Sequence, residues 1–142
     1  MEWNYYNTFI TVSEDCPAEF GTVPSDRKSG KTKPGIEYEL LAGRPYTFTQ
    51  EELLYEVYLR HKEVPEEELS ARGEQIREAF YRKPQPCLRA SMLPKKYGWG
   101  LHFDAEGKIA LYPRESPEYW SFTDGSRGSI RLLAAMRNSR KK

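Results

Sequence analysis

The sequence predicts an α+β fold, a small central antiparallel sheet of about four strands packed by three to five helices. Three observations predict it. The elements run strand, helices, strands, helix, without the regular βαβα alternation of a doubly wound sheet. A hairpin signal spans Tyr97 to Tyr112, where Tyr97, Trp99, Leu101 and Phe103 share one face by the period of two. A capping box, Thr49-Gln50-Glu51-Glu52, opens a run with helical apolar spacing.

Each element follows from local chemistry. Within residues 7–12, Thr8-Phe9-Ile10-Thr11-Val12 is β-branched and aromatic throughout and reads as a strand with apolar groups on both sides. Pro17, Gly21, Pro24, Gly30, Pro34 and Gly35 punctuate residues 17–35, which read as one long irregular loop. Ile36 to Leu41 reads as a short helical turn closed by Gly43 and Pro45. After the capping box, Leu53, Leu54, Val57, Tyr58 and His61 give a helix over 49–61. Pro65 and three glutamates at 66–68 open a second helix over 65–82, because a proline suits the first turn and acids favour the positive end of the helix dipole. Lys83-Pro84-Gln85-Pro86 stops it.

Residues 87–92 read as a strand, and 97–103 with 108–112 as the hairpin, its loop Asp104-Ala105-Glu106-Gly107 suiting a type I turn closed by glycine. Residues 115–122 read as a short helix, and 126–139 as a last helix carrying Ile130, Leu133, Ala134 and Met136. A frayed basic tail is expected at 138–142, and the whole of 1–142 is expected to form one domain.

Composition narrows the class. The chain has 142 residues, 30% of them charged, with a net charge of +1. Ten Tyr, six Phe and three Trp are too many for a disordered chain. No apolar stretch approaches the ~18–20 residues of a membrane span. Residues 1–6 lack the basic and apolar regions of a secretory signal. A cytoplasmic setting, with Cys16 and Cys87 as free thiols, is therefore expected. The balance conceals an imbalance: residues 1–82 carry a net −6 and residues 83–142 a net +7. Such asymmetry marks either a charged binding surface or two halves that attract each other.

Three segments resemble a known family: Asn7-Thr8-Phe9-Ile10-Thr11-Val12-Ser13-Glu14-Asp15-Cys16-Pro17, Tyr46-Thr47-Phe48-Thr49-Gln50-Glu51-Glu52, and Leu88-Arg89-Ala90-Ser91-Met92-Leu93-Pro94-Lys95-Lys96-Tyr97-Gly98-Trp99-Gly100. Together they are similar to a mostly bacterial group of short uncharacterised proteins, a domain of unknown function. The likeness spans nearly the whole chain and implies a single domain in a bacterial cytoplasm. It implies no activity, cofactor or catalytic residue.

Candidate site residues come from the residues themselves. Gly98 and Gly100, two apart, strip one face of the hairpin strand, and His102 and Asp104 continue that face. An open floor there would accept a ligand beside His102, while a helix lying on the glycines would close it. Trp99 or Tyr97 would supply contact area, and Arg89, Lys95, Lys96, Arg127 and Arg131 positive charge. The favoured reading is a non-catalytic binding or interaction module for a small anionic ligand or a protein partner.

A small enzyme is the alternative, with His102 as acid–base and Cys87 or Asp104 as helper. Weak nucleic-acid binding is a third reading, from Arg127, Arg131, Arg137, Arg140, Lys141 and Lys142, with Lys95 and Lys96 beside aromatic rings. A pI near 7.7 argues against it. Trp3, Tyr5, Tyr6 and the pair Tyr119-Trp120 could face a partner, though core roles suit them better. Ser25 to Thr32 falls short of a phosphate-cradling GxxxxGK[ST] loop, because Ser25 replaces its first glycine. Cys16, His61, Cys87 and His102 lack metal-ligand spacing, so neither a metal nor a cofactor is expected.

Overall fold

The computed structural model describes residues 4–25 and 30–139. It has an α+β fold built on a mixed four-stranded sheet. In chain order the elements are β1 (Thr8–Thr11), α1 (Lys33–Gly43), α2 (Gln50–His61), α3 (Glu66–Arg82), a 3-10 turn (Leu88–Ala90), α4 (Met92–Lys96), β2 (Trp99–Phe103), β3 (Ile109–Pro113), α5 (Pro117–Thr123) and β4 (Arg131–Ala134). The strand order is β3-β2-β1-β4. Thr8 lies opposite Phe103 and Ile10 opposite Leu101 in the antiparallel pair β1–β2. On its other side β1 runs parallel to β4, with Thr8 opposite Arg131 and Thr11 opposite Ala134.

The period of two sends alternate residues to opposite faces. On one face Ile10, Leu101, Phe103 and Ile109 pack with Ile36, Leu40 and Leu41 of α1, Leu53 and Val57 of α2, and Leu93 of α4. On the other face Phe9 and Val12 pack with Tyr119 and Phe122 of α5. Phe9 stacks on Phe122 at 4.6 Å and meets Tyr119 edge-on at 5.1 Å.

The capping box forms: Thr49 Oγ1 accepts from Glu52 N–H, and Glu52 Oε1 accepts from Thr49 N–H at 2.9 Å. The hairpin turn closes as its residues require. Asp104 Oδ1 accepts from the N–H groups of Glu106 and Lys108, each at 2.9 Å, and Gly107 has φ +81. Helix α3 buries only Phe80 and is kinked at Arg72, so Leu69, Gly73 and Ile76 lie half-exposed.

Two expected elements are replaced. Residues 87–92 form no strand. Ser91 caps α4 by accepting from Leu93 N–H, and Leu88 N–H is donated to the buried amide oxygen of Gln50 at 2.8 Å. The expected helix over 126–139 is instead a loop and β4. Asp124 Oδ1 takes the Ser126 N–H into a tight turn, and Gly125 and Gly128 both have positive φ. The physical reason is β1. Thr8, Phe9 and Ile10 are all but fully buried. The edge of β1 away from β2 holds backbone groups that need partners, and β4 supplies them. The fourth strand therefore comes from the C-terminal segment, and it adds a parallel pair to the expected antiparallel sheet.

Helix α1 begins at Lys33, inside the expected 17–35 loop. The expected fraying at 138–142 does not reach Asn138 and Ser139, whose N–H groups are held by Asp15 at 2.7 and 3.0 Å. Hydrogen bonds from Ser13 and then from Asn138 hold the Asp15 carboxyl well below the usual carboxylate range. Trp3, residues 26–29 of the phosphate-loop near miss, and Arg140, Lys141 and Lys142 lie outside the described residues. Among the described residues, no helix is long and apolar enough to cross a membrane.

Candidate functional site

The glycine face does not stand open. Gly98 lies before β2, as the left-handed residue that ends α4, with φ +79. A Cβ there would lie 2.7 Å from the Phe20 carbonyl oxygen. A Cβ on Gly100 would lie 2.4 Å from Phe9 Cζ and 2.7 Å from Tyr119 Cε2. Helix α5 thus lies on the bare strand and fills its floor. Trp99 points to the other face, where its indole N–H donates to the Thr22 carbonyl at 2.9 Å.

His102 is half-buried under the same helix, 4.3 Å from the Phe122 ring. Its Nδ1 is 2.8 Å from the Tyr46 hydroxyl, which is 2.7 Å from the Tyr112 hydroxyl. Burial lowers the His102 pKa, the Asp104 charge opposes that shift, and Arg127 adds to it. Asp104 itself is engaged in the hairpin turn. Cys87 is on the other side of the sheet. It adjoins Leu88, which packs in one cluster with Phe103, Leu53 and Val57, and neighbouring positions 102 and 103 face opposite ways. Burial and then Cys87 push the Tyr5 hydroxyl up to about 12. The sheet therefore separates Cys87 from His102.

The basic residues divide among three places. The Arg89 guanidinium donates to the Ala134 carbonyl at 2.8 Å, and Arg131 sits exposed on β4. Arg127 lies 4.2 Å over the Phe122 ring. Lys95 and Lys96 end α4, and Lys96 with Tyr97 lines a polar cleft of about 500 Å3. Lys31, Lys33 and His61 line the same cleft. Lys31 is paired with Glu39 at 2.8 Å, and Lys96 Nζ lies 5.7 Å over the Tyr97 ring. Thr32 caps α1 by accepting from Gly35 N–H, so the first turn of that helix forms part of the wall.

A second concavity adjoins the first. Lys33, Pro34 and Met92 line both. This cavity, of about 180 Å3, is walled mainly by Leu54, Val57, Tyr58, Phe80, Pro86 and Leu88. Cys87 and Gln85 also reach it.

One ionisable group is sunk in its wall. Glu37, 8% exposed, sits on the buried stripe of α1 with Leu40 and Leu41. The Ser91 hydroxyl donates to Glu37 Oε1 at 2.9 Å, and Oε2 has no hydrogen-bond partner among the described residues. Burial raises the Glu37 pKa to about 7, against the pull of the Ser91 hydroxyl and the Lys33 charge. Lys33 stands one turn earlier on the same face, and no ion pair within 4.0 Å joins the two. Sequence reasoning missed Glu37. The signal was present, because its i, i+3 and i+4 spacing with Leu40 and Leu41 puts a carboxylate where the core expects an apolar side chain.

Comparison with curated proteins and with solved structures found no match. One family profile does match, over residues 1–141, and it describes a family of unknown function, DUF6157. The chain belongs to that family.

Proposed function

We propose that the protein is a non-catalytic binding module for a small organic anion with an apolar body. One observation carries this reading: a lysine-lined polar cleft and an apolar cavity share the walls Lys33, Pro34 and Met92. An anionic head placed in the cleft meets Lys33, Lys96 and the positive end of the α1 dipole. The body then leaves water for a pocket lined by Leu54, Val57 and Phe80. The size fits a single six-membered ring or a short alkyl chain, since an apolar cavity of ~150 Å3 admits benzene.

The test is a thermal shift with benzoate and hexanoate against a bare anion, acetate. A ligand that prefers the folded state raises its melting temperature by mass action. The two larger acids raise it and acetate does not. Replacing Lys33 and Lys96 together by Glu removes the response, as does filling the cavity with Ala90→Leu. A response that survives both variants refutes the reading.

Acid–base chemistry at His102 is the second reading. The hydrogen-bonded chain His102–Tyr46–Tyr112 supports it, together with the φ of +54 at Tyr46, a conformation that costs energy outside glycine. Neither concavity described above is lined by His102, so the binding reading is preferred.

A further inference from the structure

The buried carboxyl of Glu37 is more than the binding reading needs. An apolar residue at that position would complete the α1 stripe and deepen the pocket. Burying a carboxylate instead costs free energy unless its oxygens find donors. Among the described residues one donor, the Ser91 hydroxyl, serves Oε1. Gln85, also in the wall, donates its amide to the Phe80 carbonyl at 3.1 Å. Lys33 acts through charge from beyond 4.0 Å. Among the described residues Oε2 is therefore left as an acceptor without a protein donor, still in contact with solvent, on a residue that lines a cavity walled by hydrocarbon. A ligand that buries only hydrocarbon there would strip water from this oxygen and give nothing in return. A ligand with a donor at that point would satisfy it.

We infer that the ligand carries a hydroxyl or amine on its apolar body, and that Glu37 is the group that reads it. This rests on the binding reading above and narrows its ligand class to small hydroxy or amino acids, with ring or short-chain bodies. The anionic head lies toward Lys33 and Lys96, and the donor toward Glu37. Ser91 is a positioning residue, because its hydroxyl fixes Oε1 and so leaves Oε2 as the free acceptor.

The experiment compares benzoate with its 2-, 3- and 4-hydroxy forms, and hexanoate with 6-hydroxy- and 6-aminohexanoate, by calorimetry on the full chain at about pH 8, where Glu37 is ionised. At least one donor-bearing acid in a series binds ten- to a hundred-fold tighter than its parent, the range expected for a hydrogen bond to a charged group. In Glu37→Met, which keeps similar volume and removes the acceptor, that preference disappears while the parent acid binds at least as well. A purely structural role for Glu37 would change both affinities together and leave their ratio alone. Parent and donor-bearing acids that bind equally to the wild-type protein would mean that water serves Glu37. That outcome overturns this inference and leaves the binding reading standing. Failure of every acid to bind at millimolar concentration ends both.

Discussion

A single methyl group at position 100 would drive into two aromatic rings. The Cβ of Gly100→Ala would lie 2.4 Å from Phe9 and 2.7 Å from Tyr119, both buried and stacked into the α5 face. Overpacking of this kind costs about 1–3 kcal/mol. Urea unfolding of Gly100→Ala should show that loss, whereas Gly43→Ala, whose Cβ has nothing within 4 Å, should show none. The pair of glycines stood out in the sequence as a place of close approach, but what approaches them did not. Tyr119 is distant in the chain, and only the return of α5 across the sheet brings it there. Glu37 shows the opposite failure. Its spacing was readable, yet Ile36 to Leu41 was read only as a short helical turn, whereas the helix runs from Lys33 to Gly43.

At the scale of elements, local chemistry was legible where it was self-contained. The capping box at Thr49 and the hairpin turn at Asp104 each satisfy their own backbone within a few residues, and both formed as read. Thr49→Ala removes one half of the box and should lower stability by about 1 kcal/mol, visible as a lower melting temperature with an unchanged helical signal. The two misread segments depend on distant partners. Leu88 gives its N–H to Gln50, and Arg131–Ala134 pairs with β1, so neither choice is written in its own residues. Ser91 before Met92-Leu93-Pro94 was a readable helix start, since a capping serine and an early proline both suit a first turn.

Over the whole molecule, acidity acts through groups of opposite sign. The Glu37 pKa rises from an ordinary 4.5 to about 7 on folding. Its folded form holds the proton more tightly, so its contribution is most favourable below about pH 4.5, declines as pH rises, and is flat above about 7. His102 is shifted downward, so its contribution is lost as pH falls below its ordinary value of 6.5. Asp15 loses its contribution as pH falls below 3.8. Glu37→Gln isolates the first effect. It should gain roughly 3 kcal/mol over the wild type at pH 8, since one pKa unit is about 1.4 kcal/mol, and nothing at pH 4. Chemical denaturation at the two pH values checks this, and an equal gain at both would contradict the burial of an ionisable Glu37.

The parallel seam between β1 and β4 also bears on biogenesis. Thr8–Thr11 is made before all five helices, but the strand that covers its far edge is made only after them. Until then a strand destined for burial has one flank unsatisfied, and such bare flanks recruit other chains. Closing so distant a contact is slow, because the intervening chain must first be brought round. Nascent-chain protection by a holdase would matter most in that interval. A truncated product ending before Arg131 should precipitate during translation even though every helix and the β2–β3 hairpin are already in place.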